Sequence, residues 1–308
     1  MADGHDHGSA AVAQHAGAAY KRRLLAAFCL IGGFFLVELV GGLLANSLAL
    51  LADAGHMFTD VIGIGMALAA IQAASTHRAD PQRSFGLYRL EILAALANAV
   101  LLTGLAGFIL YESIRRLAEP PEVLGLPMLI VGTLGLLVNL VAFWLLRGGK
   151  DASLNVQGAY LEVLADLLSS VGVVTAAVIL QFTGLTRIDS IFAIGIGLFI
   201  LPRAWKLGGK ALRVLIQAAP ADIDVAGMNT ELAELDGVAH VHDLHVWTLT
   251  SGMEVASVHV RLQPGADSHH TLDQTRALLR TRHGIEHATV QVEPDEHAGC
   301  DGCETTGW

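Results

Sequence analysis

Six long apolar stretches constrain this chain more than any other feature. A helix needs about 20 mostly apolar residues to cross a bilayer, and within lipid only helices or closed barrels satisfy every backbone polar group. The stretches are Leu24–Ala45, Ser47–Ser75, Leu90–Leu117, Pro127–Leu146, Asn155–Phe182 and Ile188–Trp205. Turn residues separate them, Asn46 and Pro120–Pro121 on one side, Asp80–Pro81 and Gly148–Gly149 on the other. They predict an all-α membrane bundle of six transmembrane helices over residues 24–207. The opening MADGHDHGSA is polar and lacks the basic-then-apolar order of a cleaved leader. The first apolar helix is therefore expected to remain as an anchor, with residues 1–23 a flexible His-containing tail.

Charge is scarce where the apolar stretches lie. Only 16% of the chain is charged, against about 25% in soluble domains. Short loops on one side carry Lys21, Arg22, Arg23, Arg78, Arg83, Arg89, Arg147, Lys150, Arg203, Lys206 and Lys210, and the other side only Arg115, Arg116 and Arg187. The positive-inside rule places both termini in the cytoplasm, and the absence of a targeting segment favours a bacterial inner membrane. A net charge of −10 with no basic stripe gives no footing to a nucleic-acid partner. Three cysteines are too few for a disulfide framework. The many Gly and Ala residues of the apolar stretches, Gly63, Gly132, Gly135 and Gly197 among them, are accounted for by close helix packing.

From about Pro220 the pattern changes to that of soluble protein. Asp222–Leu235 is amphipathic, Val238–Leu249 and Met253–Leu262 are strands joined at Ser251–Gly252, Thr271–Arg282 is a helix and Ala288–Val292 a last strand. In the second strand Ala256, Val258, Val260 and Leu262 alternate with Ser257, His259 and Arg261, a period of two. The order α-β-β-α-β predicts a ferredoxin-like α+β domain in the cytoplasm over residues 208–294, followed by a tail over 295–308.

Chemistry concentrates in ionisable groups inside the apolar stretches. The second holds Asp53, His56 and Asp60, and the fifth Glu162 and Asp166. An acidic group at mid-membrane costs roughly 2.5–3.5 kcal/mol. Four together cost on the order of 10 kcal/mol unless a pathway or partner compensates them. His56 and Asp60 are four apart, and so are Glu162 and Asp166, so each pair lies on one helix face. Two such helices facing one another present one imidazole and three carboxylates to a single point. That set suits four-coordinate Zn2+. It also accepts Co2+, Cd2+, Mn2+ or Fe2+. Asp53, three before His56, is a supporting partner or a helix-start residue. Asn98 and Asn139 are expected to join helices. Glu91 and Glu38 are further polar groups in apolar surroundings, and Glu38 has no evident partner in sequence.

The stretches GGLLANSLALLADAGHMFTD (41–60), NVQGAYLEVLADLLSSVGV (155–173) and VHDLHVWTLTSG (241–252) together resemble the cation diffusion facilitator family, which includes bacterial zinc, cobalt and cadmium efflux proteins and vesicular zinc transporters. The resemblance implies six helices, a cytoplasmic αββαβ domain, a homodimer, and exchange of metal for protons. It implies a transport site made by an (H/D)xxxD pair on each of the second and fifth helices. His56 and Asp60 match the first pair. Glu162 stands where most zinc transporters of the family have His, with Asp166 unchanged. The site is therefore more anionic and open to Co2+ or Cd2+. By the same resemblance His242 and His259 fall where family members bind metal in the cytoplasmic domain, and His269 or His270 is available to join them.

Three further motifs remain. His5, His7 and His15 form a His-bearing tail that captures metal loosely or is simply solvated. Cys300 and Cys303 form a CxxC; in a reducing compartment it reads as a pair of soft ligands needing His from this or a neighbouring chain. His283-Gly-Ile-Glu286-His287 imitates a zinc-peptidase signature, but Gly284 should end the helix before His287. The expectation is a divalent metal exporter, Zn2+ first, working by alternating access as a metal/proton antiporter, with Zn2+ also a regulatory ligand of the tail domain. It is not expected to be an enzyme. Its rivals are a membrane-anchored metal sensor, a membrane metalloenzyme without transport, and an organic-cation transporter. The metalloenzyme lacks a base or nucleophile motif in the helices. The organic-cation transporter needs an aromatic-lined cavity, and aromatics are only 6% of the chain.

Overall fold

A computed structural model describes residues 8–75, 85, 86, 88–146 and 154–295, with side chains described for residues 25, 28–63, 65, 85, 86, 88–144 and 164–295. The elements are α1 (Gly8–Ala45), α2 (Leu48–Ser75), α3 (Tyr88–Ala118), α4 (Gly125–Leu146), α5 (Leu154–Thr183), α6 (Arg187–Leu215), α7 (Val225–Ala233), β1 (Val238–Thr250), β2 (Met253–Leu262), α8 (Ser268–His283) and β3 (His287–Glu293). They form two units. One comprises residues 1–81 and 94–208, the other residues 82–93 and 209–308.

In the first unit, five helices are long and apolar enough to cross a bilayer among the described residues. These are α3, α6, and segments Phe28–Ala45 of α1, Gly125–Trp144 of α4 and Leu164–Thr183 of α5. α2 is the remaining long helix, and most side chains of its second half lie outside the described residues. Two boundaries differ from expectation. α1 begins at Gly8, inside the stretch taken as a flexible tail; Ala10, Ala11, Ala13, Ala16, Ala18 and Ala19 supply strong helix propensity there. α6 runs ten residues past Trp205 to Leu215. Its amphipathic end, Lys206 to Arg213, lacks the continuous apolar run by which spans are recognised, yet Gly208 and Gly209 do not break it.

Close approach of backbones sets the packing. A Cβ on Gly41 of α1 would lie 2.7 Å from Val131 of α4, and one on Gly132 of α4 3.0 Å from Val173 of α5. Small residues at these contacts let α1, α4 and α5 pack tightly. Gly63, Gly104, Gly107 and Gly195 meet nothing within 4 Å, so packing explains only part of the glycine content. The start of α2 is fixed with care. Asn46 makes the turn at φ 53°. The buried Asp189 of α6 accepts from Ser47 Oγ at 2.6 Å, Leu48 N at 2.8 Å and Ala49 N at 3.2 Å, placing a carboxylate at the positive end of the helix. Arg116 of α3 donates to Asn46 O at 2.8 Å. These bonds set the phase of α2 two turns ahead of His56.

The second unit contains a three-stranded sheet of order β1-β2-β3, with β1 and β2 antiparallel and β2 and β3 parallel. Met228, Leu232, Val241, Val246, Val258, Val260, Leu279 and Ile285 form its core. Asp224 caps α7 and Asp267 caps α8. The chain order is α-β-β-α-β, as the periodicity indicates. Glu91, counted above among groups in apolar surroundings, accepts from Thr250 Oγ1 at 2.5 Å and Ser251 Oγ at 3.0 Å.

Candidate metal centres

α2 and α5 bring three of the four expected intramembrane ligands together. His56, Asp60 and Asp166 each offer a ligand atom, and these atoms all lie within 4.8 Å of one another. His56 Nε2 is 2.9 Å from Asp166 Oδ1. His56 is 5% exposed and Asp166 8%, while Asp60 is half-buried. Asp166 Oδ1 and His56 Nδ1 make no hydrogen bond among the described residues. Buried polar atoms are normally satisfied, and these two atoms, with the Asp60 carboxylate beside them, belong to a set of one imidazole and two carboxylates that a divalent cation completes. Glu162 lies one turn before Asp166 on α5; its side chain is outside the described residues.

A second polar layer sits one turn further along and fixes how α2 meets α5. Asp53 accepts a short hydrogen bond from Ser169 Oγ and a longer one, 3.4 Å, from Ser170 Oγ. Ser170 accepts in turn from Asn139 Nδ2 of α4 at 2.9 Å. Asp53 and His56 are three apart on α2, as Asp166 and Ser169 are on α5, so the layer holds the two ligand faces in register. Asn139 joins helices as expected. Asn98 Oδ1 makes no hydrogen bond among the described residues, and neither does the fully buried carboxylate of Glu38.

One residue at this site was missed. Arg203, taken from sequence as a loop charge, lies within α6 with Nη1 3.0 Å from His56 Nε2. The usable signal was its place: an Arg four residues after Phe199 at the end of an apolar run is an intramembrane charge, and such charges mark function.

The second centre lies in the sheet unit. His242 of β1, His259 of β2 and Glu293 of β3 offer ligand atoms within 4.8 Å of one another. Glu293 Oε1 is 3.1 Å from His259 Nδ1, and Glu293 Oε2 is 3.4 Å from His242 Nε2. Register explains the meeting. His242 pairs directly with His259, and Glu293 pairs with Arg261, two residues on along the same face of β2. Asp243, at φ 50°, lies in a register irregularity of β1 between His242 and His245; such bulges re-aim neighbouring side chains. Glu293 is 5% exposed, and Gln291 Nε2 donates to its Oε1 at 2.9 Å. Glu293 Oε2, His242 Nδ1 and His259 Nδ1 are buried without a hydrogen bond among the described residues, so the set fits a metal.

The structure places the expected further ligands elsewhere. His269 and His270 are exposed in the first turn of α8, where Asp267 caps their amides, and they are not in the cluster. Strand β3, paired in parallel with β2, brings a carboxylate there instead. His283 closes α8, Gly284 turns at φ 70° and His287 opens β3, so the peptidase-like signature is split across two elements. His283 Nε2 instead lies 3.2 Å from Glu231 Oε2. His5, His7, Cys300 and Cys303, and the side chain of His15, lie outside the described residues.

Residues 24–216 match the family described as the cation efflux transmembrane domain, and residues 220–295 match the cation efflux protein cytoplasmic domain. The chain is 44% identical to the metal cation efflux system protein CzcD of Cupriavidus metallidurans, over 95% of this chain and 90% of that protein. It is 41% identical to the zinc transporter ZitB of Escherichia coli, over 95% and 93% respectively. It is 36% identical to the cadmium, cobalt and zinc/H(+)-K(+) antiporter of Bacillus subtilis, over 92% of each. Among solved structures, the metal-bound C-terminal domain of the CzcD transporter matches 23% of this chain and 99% of its own, with 32% identity and a TM-score of 0.22.

Proposed function

Because this chain belongs to the cation efflux family, integral membrane proteins that transport metals and are not enzymes, we propose that it exports a divalent transition metal, Zn2+ first, in exchange for protons. Six helices span the inner membrane with both termini in the cytoplasm, and two copies assemble through the ferredoxin-like C-terminal domain, which the family description of residues 220–295 names as cytoplasmic. The observation that supports the reading best is the convergence of His56, Asp60 and Asp166 from α2 and α5, with His56 and Asp166 buried.

The cargo is held by His56, Asp60 and Asp166, with Glu162 the fourth ligand from the turn before. Each must be deprotonated to ligate, so metal and protons compete for the same lone pairs. With the site facing the cytoplasm the metal wins; facing the more acidic exterior, protons replace it. Asp53 holds α2 against α5 through Ser169 and Ser170, keeping both ligand faces together as the helices move. The cluster of His242, His259 and Glu293 takes a regulatory metal, with Cys300 and Cys303 offering softer ligands from the tail.

Proteoliposomes loaded at low internal pH test this reading. Uptake of Zn2+, Co2+ and Cd2+ should rise with the pH gradient and collapse when it is dissipated. Metal binding without gradient-driven flux would leave the membrane sensor as the better account. Imidazole favours Zn2+ while carboxylate suits Mn2+, so Glu162→His should raise the Zn2+ to Mn2+ uptake ratio roughly three- to tenfold. An unchanged ratio would remove Glu162 from the ligand set.

A further inference from the structure

We propose that Arg203 is a built-in counter-cation of the transport site, which the metal displaces on entry and which returns to help eject it. The proposal rests on the reading of His56, Asp60 and Asp166 as that site.

A guanidinium only donates hydrogen bonds and keeps its charge throughout. Arg203 Nη1 lies 3.0 Å from His56 Nε2, and because the guanidinium cannot accept, a hydrogen bond between them uses the lone pair of Nε2. That is the lone pair an imidazole gives to a metal. The same nitrogen lies 2.9 Å from Asp166 Oδ1, which is buried without a hydrogen bond. One nitrogen cannot accept from Arg203 and donate to Asp166 together. The guanidinium therefore stands where the metal binds, beside carboxylates whose charge is costly in a membrane.

Its own element supports this position. Phe199, one turn earlier on α6, places its ring centroid 5.8 Å from Arg203 Cζ, within reach of a cation–π contact. Pro202, immediately before Arg203, removes a helix hydrogen bond and makes α6 easiest to bend there. Two cations a few ångströms apart repel, so metal entry moves the guanidinium out, and its return weakens the metal's hold. A transport site must bind well enough to load and weakly enough to unload. Arg203 provides the second half of that requirement from a helix that supplies no ligand.

The test uses the full chain in a background carrying Glu293→Gln, Cys300→Ser and Cys303→Ser, which removes the ligands proposed for the C-terminal region. Zn2+ affinity is read by competition with a fluorescent chelator, and turnover by Zn2+ uptake into proteoliposomes. Arg203→Gln should bind Zn2+ on the order of ten- to a hundredfold more tightly and turn over more slowly at saturation. Arg203→Met, neutral and of similar reach, repeats the test should the glutamine variant not fold, and Arg203→Lys should restore affinity toward the parent. Unchanged or weaker binding in the neutral variants overturns the proposal, since an arginine that merely braces α6 predicts weaker binding. Asp166→Ala in the same background separates the two readings. If it still binds Zn2+ as the parent does, the transport-site assignment has failed; if it loses binding while Arg203→Gln gains none, only the counter-cation has failed.

Discussion

Asp166→Ala should lower Zn2+ uptake into proteoliposomes at least about a hundredfold, since even groups that only support a metal ligand are worth ten- to a hundredfold. The same substitution should change thermal stability far less than it changes transport. The two halves of this result have one cause. Asp166 is 8% exposed, and its Oδ1, 2.9 Å from His56 Nε2, makes no hydrogen bond among the described residues. A buried carboxylate without a hydrogen bond is costly to keep in the folded state, so its removal takes little stability with it. A structural aspartate would behave oppositely: the fold would suffer and transport would fall only as protein was lost. Asp53 is the local contrast, because its carboxylate is engaged by Ser169 and Ser170. A variant that lost stability in step with flux would recast Asp166 as a helix clamp.

Glu293→Gln should abolish tight metal binding by the C-terminal cluster, weakening it about a hundredfold or more, whereas His269→Ala should leave it as it was. Full-length protein carrying Asp166→Ala isolates this cluster. At a free Zn2+ concentration of about 100 Kd, a metal that binds only the folded state adds about 2.7 kcal/mol of stability. The resulting Zn2+-dependent rise in melting temperature should vanish with Glu293→Gln. The amide keeps the shape of the carboxylate but not its charge, and the charge is what balances a cation between His242 and His259. A Zn2+ response lost with His269→Ala and kept with Glu293→Gln would restore the set expected from sequence.

What sequence could and could not reveal follows from how far each feature depends on distant contacts. The spacing of the proposed transport site was legible because His56 and Asp60, or Glu162 and Asp166, need only one helix to share a face. The peptidase-like decoy was legible because Gly284 is itself the helix stop. The αββαβ order was legible because Ala256 to Leu262 alternate locally. Glu293 was not legible, because its role depends on parallel pairing of β3 with β2 and on the register that sets it beside His259. In the string HATVQVE it is only the residue that closes a strand. Arg203 was misplaced for a related reason. Counting basic residues treats any arginine near the end of an apolar run as a loop charge, and only the packing of α6 brings this one to His56. The extension of α1 back to Gly8 was written in its alanines but outweighed by the polar flank.

A metal held between α2 and α5 can be located in the protein itself. Protein carrying Glu293→Gln, loaded with Zn2+ and measured for anomalous scattering at the zinc edge, should show a peak about 2.0–2.2 Å from His56 Nε2 and from oxygens of Asp60 and Asp166. A loaded, transport-competent protein with no peak between those three side chains, or with zinc bound only elsewhere, would contradict the proposed transport site.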